Sequence, residues 1–71
     1  MDGCTLLTGI NCPACEVVKK RIKRPVRMID INTADGMAEA TLNGVSTIPA
    51  LVTPWGVVLG TDAIVKAING E

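Results

Sequence analysis

Cys12-Pro13-Ala14-Cys15 constrains this chain more than any other stretch, because it stands where a strand-like run stops and a helical pattern starts. Thr5-Leu6-Leu7-Thr8 leads into a short Gly9-Ile10-Asn11 loop. From the motif onward Cys15, Val18 and Ile22 recur on one helical face, while Lys19, Lys20, Arg21 and Lys23 fall on the solvated side. Pro13 suits the first turn of such a helix: its fixed φ is helical, and the N–H it lacks would have had no partner there. Cys12 is therefore expected at the helix N-terminus, with Cys15 one turn further in, within reach and less exposed. Two thiols so placed form a reversible dithiol/disulfide pair. Unpaired N–H groups and the positive end of the helix dipole favour an anion, so the Cys12 thiol should ionise more readily than free cysteine, whose pKa is about 8.5. The expected division of labour has Cys12 attack a substrate disulfide and Cys15 resolve the mixed disulfide.

The 71 residues suffice for one small domain with a marginal core. Hydrophobic residues make up 48% of the chain, yet Trp55 is its single aromatic. Val, Ile, Leu, Met and Ala must then supply an aliphatic α/β core. Seven basic and seven acidic residues cancel, which argues against nucleic acid as the main partner. The basic run from Lys19 to Arg27 is read as a solvated helix face. No apolar run approaches the roughly 18 residues of a membrane span. Three cysteines is an odd number, and Met1-Asp2-Gly3 opens no charged-then-apolar leader pattern. A reducing cytoplasm is the expected compartment, where such a pair is catalytic or metal-binding more often than structural. Zinc usually takes four N or S ligands, and the chain offers no histidine and only Cys4 beyond the pair. The metal-binding module is thus kept as the more distant alternative, and no metal site is assigned. Cys4 is read as a small buried residue opening the first strand.

Further along, Arg24-Pro25 ends the helical pattern, and Val26-Arg27-Met28-Ile29-Asp30-Ile31 reads as a largely buried strand, parallel to the first. Asn32 or Thr33 can cap a second helix, with Met37, Ala38, Thr41 and Leu42 on one side, Gly36 weakening it and Asn43-Gly44 stopping it. Ser46-Thr47-Ile48-Pro49 leads into Ala50-Leu51-Val52-Thr53. Pro54-Trp55-Gly56 then turns the chain into Val57-Val58-Leu59, an antiparallel hairpin in which Trp55 should shield part of the sheet. Thr61 is the expected N-cap of a last helix with Ile64, Ala67 and Ile68 inside and Asn69-Gly70 at its end.

The order β-α-β-α-β-β-α, with the dithiol in the first βα connection, resembles the minimal thioredoxin fold, and among its members the glutaredoxin family. Cys12-Pro13-Ala14-Cys15 is similar to the family's Cys-Pro-aromatic-Cys site, with Ala14 in place of the aromatic. Thr47-Ile48-Pro49 resembles its Thr-Val-Pro, which implies a cis proline facing the active cysteine and a backbone edge that takes a peptide like an added strand. Gly60-Thr61-Asp62 resembles the Gly-Gly-x-x-Asp segment that holds the glutathione carboxylate on a helix N-terminus, with Leu59 where the first glycine would stand. Asp62 can equally be a plain first-turn helix charge. Gly9 replaces the lysine that many members place beside the active cysteine. The resemblance implies an α/β four-stranded mixed sheet with three helices. It also implies a monomeric thiol-disulfide oxidoreductase with no tightly bound cofactor, protein disulfides or glutathione mixed disulfides as substrates and glutathione as reductant. The nearer alternative is a redoxin reduced by a thioredoxin reductase that serves one enzyme, such as a ribonucleotide reductase.

Overall fold

Short apolar runs punctuated by Gly, Pro and Asn give seven brief elements in the computed structural model, which describes residues 3–70. They are β1 (Thr5–Thr8), α1 (Pro13–Arg21), β2 (Arg27–Asp30), α2 (Ala34–Leu42), β3 (Ala50–Thr53), β4 (Gly56–Leu59) and α3 (Thr61–Asn69). The architecture is α/β, with three helices and one open mixed sheet in the order β2-β1-β3-β4. β1 pairs in parallel with β2, Leu7 opposite Ile29, and antiparallel with β3, Leu7 opposite Ala50. β3 and β4 form a hairpin closed by Pro54-Trp55, with Thr53 opposite Gly56.

The core lies where α1 and α3 pack together against the central strands. Leu6 and Leu51 from the sheet meet Val18 from α1 and Ile64, Val65 and Ile68 from α3, with Cys4 buried beside them. Burying each of these aliphatic side chains contributes about 1.5–3 kcal/mol. Leu7 and Ala50 are just as inaccessible, but strand alternation turns them to the opposite face.

Several expectations are corrected by this arrangement. β2 is shorter than Val26–Ile31 and is not largely buried: Arg27 and Met28 are exposed, because β2 is an edge strand with β1 as its single neighbour. Gly36 does more than weaken α2. It is the buried residue of that helix, and a Cβ there would overlap the Asp30 carbonyl oxygen, so its missing side chain lets α2 approach the end of β2. Thr33 is the cap, its Oγ1 accepting from Gly36 N at 3.0 Å. The apolar side of α2 stays uncovered, with Met37 and Leu42 exposed. Trp55 shields nothing: it is 89% exposed at the hairpin tip. At α3 the cap is Gly60, with φ +93°, and Thr61 is the first helical residue.

Candidate functional site

The end of β1 and the start of α1 build the site between them. After Thr8 the chain turns through Asn11, held at φ +53°, a left-handed conformation that asparagine tolerates better than most residues. Cys12 follows as the N-cap of α1 in extended conformation, and Pro13 occupies the first turn. Cys12 and Cys15 are joined by a disulfide across that turn, their Cα atoms 5.2 Å apart. The Cys15 backbone N–H also donates to Cys12 Sγ at 3.1 Å. The two sulfurs are not equivalent: Cys12 is half-buried and Cys15 has no exposed surface. An incoming macromolecule can reach Cys12 alone.

Strand register brings the other candidate residues to the same end of the sheet. Ala50, which opens β3, lies between Leu7 near the end of β1 and Leu59 at the end of β4. Pro49 and Gly60 immediately flank these positions, so both sit at the sheet end from which the Cys12 loop departs. The Ile48–Pro49 bond is cis, with Pro49 buried, Ile48 half-buried and Thr47 exposed. Ile48 also closes over the Cys12 loop. A Cβ on Gly9 would come within 2.5 Å of Ile48 Cδ1, the movable end of that side chain, so Gly9, where the resemblance would put a lysine, lies beside Ile48.

Asp62 is committed elsewhere. Its carboxylate accepts from Arg21 at the end of α1, Nη1 to Oδ1 2.6 Å. The hydrogen bond and the charge of that guanidinium hold the Asp62 carboxyl below the ordinary aspartate range, with Lys66 adding to the effect. The α3 N-terminus itself has no side-chain cap.

Beside Cys12 lies an open concavity of about 620 Å³. Ile10, Pro13, Glu16, Lys19 and Asp30 line it with Gly9, Asn11 and Cys12, whereas none of Thr47, Ile48, Pro49, Gly60, Thr61 or Asp62 does. Glu16 and Lys19 form an ion pair at 3.3 Å. Asp30 Oδ1 accepts from Asn32 N at 2.7 Å and from Asn32 Nδ2 at 2.9 Å. These three charged residues were missed as site residues. Glu16 and Lys19 stand four and seven positions after Cys12, a helical spacing that points them out; Asp30 arrives only through the parallel pairing of β2 with β1. Among the described residues no three His, Cys, Asp or Glu side chains converge as a metal site would require, and no helix is long and apolar enough to cross a membrane.

Comparison of the chain with protein-family models, with curated proteins and with solved structures found no match.

Proposed function

We propose that this chain is a small thiol-disulfide oxidoreductase of glutaredoxin-like type on a thioredoxin-like fold, cycling between the Cys12–Cys15 disulfide and the dithiol. The observation that carries the proposal is the unequal pair at the start of α1, one sulfur reachable and the other enclosed. In the reducing half-cycle the Cys12 thiolate attacks one sulfur of a substrate disulfide. That S–S bond breaks, a mixed disulfide forms, and the departing substrate sulfur takes up a proton. Cys15, deprotonated, then attacks the Cys12 sulfur; the mixed disulfide breaks, the second substrate thiol leaves, and two electrons have passed from protein to substrate. Thr47-Ile48-Pro49 serves as the docking edge, since it adjoins the Cys12 loop through the Gly9 and Ile48 contact and proline presents no N–H that competes there. The substrate is a protein disulfide or a glutathione mixed disulfide in a reducing compartment, and no tightly bound cofactor takes part.

A second reading concerns the reductant. Gly60-Thr61-Asp62 would have to receive a glutathione carboxylate, yet Asp62 is engaged by Arg21 and no lysine stands at Gly9. This favours a redoxin recharged by a thioredoxin reductase. Turnover of a protein disulfide should be measured with glutathione, glutathione reductase and NADPH, and in parallel with thioredoxin reductase and NADPH. Turnover in the first system makes glutathione the reductant, and turnover in the second alone selects the reductase. Inactivity in both moves the reading to a redoxin with a dedicated partner or to the metal-binding module.

A further inference from the structure

Six of the seven cations, all but Lys66, fall between Lys19 and Arg27. This segment links the two walls of the concavity beside Cys12: it starts at Lys19, which lines it, and runs into β2, whose last residue Asp30 lines it too. Two of the cations are neutralised, Lys19 by Glu16 and Arg21 by Asp62. The other four, Lys20, Lys23, Arg24 and Arg27, are exposed and make no ion pair with any described residue, and the Arg24 guanidinium lies against Gly70. The described acids without an ion pair lie elsewhere, Asp30 at the far end of β2 and Asp35 and Glu39 on α2. Among the described residues, the unpaired cations and the unpaired acids therefore fall on different elements. The basic segment is also held in place: Asn69 at the end of α3 accepts from Lys23 N at 2.7 Å and donates to the Arg21 carbonyl at 3.3 Å.

We infer that Lys20, Lys23 and Arg27 form a docking surface for an acidic protein segment, which steers the partner's disulfide to Cys12. This rests on the oxidoreductase reading for its purpose, though not for the binding itself. α1 separates the surface from Cys12 by about 13 Å at 1.5 Å per residue, so the fitting partner carries its acidic residues about that far from its disulfide. Polyphosphate fits worse, since Asp30 lines the concavity beside Cys12 without an ion pair and would repel a chain of phosphates passing there.

Three disulfide-linked synthetic peptides, alike except for a run of Glu, Gln or Lys at that separation, test this against the reduced protein in single turnover. The Glu peptide should react about tenfold or more faster than the Gln peptide at low salt. The advantage should shrink as salt rises from about 0.01 M to about 1 M and the Debye length falls from about 30 Å to about 3 Å. Lys20→Glu/Lys23→Glu/Arg27→Glu should abolish it and leave the Gln peptide's rate unchanged. The triple Gln variant provides the same comparison should the Glu one fold poorly. Equal rates for the Glu and Gln peptides, or a preference that survives the substitutions, would overturn the inference. Binding is read separately with Cys12→Ser/Cys15→Ser and thiol-free peptides. Salt-dependent binding of the Glu peptide without any reaction in the wild-type protein would remove the redox reading and uphold the surface. Tighter binding of a DNA duplex than of the Glu peptide would overturn it in favour of nucleic acid.

Discussion

Cys15 has no exposed surface, and its sulfur is bonded to that of Cys12; in the proposed cycle it serves only to resolve. Cys15→Ser should therefore leave the first attack intact and stop the second: the variant should accumulate a mixed disulfide at Cys12, visible as added mass that dithiothreitol removes, while protein-disulfide turnover falls to background. A variant that keeps turning over a protein disulfide would show that Cys15 does not resolve. Gly36 allows a sharper test, because two effects of opposite sign meet there. Alanine improves helix propensity by about 1 kcal/mol in an open helix. Here its Cβ meets the Asp30 carbonyl and the Ile31 Cα, backbone atoms that cannot swing aside. Gly36→Ala should lower stability by about 1–3 kcal/mol, the usual cost of overpacking, as read by chemical denaturation. A stabilised variant would show that α2 does not lie against β2 as described.

α1 and α3 are coupled at the surface by Arg21 and Asp62. The pair depresses the native carboxyl below its unfolded value of about 3.9. Its contribution is thus complete above that pH and fades as pH falls through the lowered native value. Both groups are solvated, so the effect on stability is small. Arg21→Gln should nonetheless move the Asp62 titration upward in an NMR pH series and leave the melting temperature nearly unchanged. Element by element, what the residues revealed depended on how local the signal was. β1, the Pro13 start of α1, a cap at Asn32 or Thr33 and the hairpin were legible because Pro, Gly and capping residues act within a turn of where they stand. The exposure of β2 was not, since Met28 and Ile29 look the same in an edge strand as in a central one and strand order is set by distant pairing. Gly36 was misjudged for the same reason: the atom it makes room for belongs to another element.

For the molecule as a whole, burial and chemistry part company, and identical substitutions should separate accordingly. Leu51→Ala empties a position with no exposure in the middle of the core and should cost about 2–5 kcal/mol. Against a total of about 5–15 kcal/mol, that is a severe loss for a chain this short. Leu42→Ala, at 83% exposure on α2, should stay within about 0.5 kcal/mol; a comparable loss at both sites would mean that the face of α2 is covered in solution. The dithiol was readable at this scale because its four residues are contiguous. The concavity beside it, with Glu16, Lys19 and Asp30, was not, since it exists only once β2 lies alongside β1.

Trp55, the single aromatic, projects from the Pro54-Trp55 turn at the end of the sheet opposite the Cys12 loop. Already in water in the native state, its indole should emit at nearly the same wavelength folded, unfolded, oxidised or reduced. Circular dichroism and thiol labelling will follow this protein where its intrinsic fluorescence stays silent. The same silence makes Trp55 a clean reporter for any partner that covers the hairpin tip.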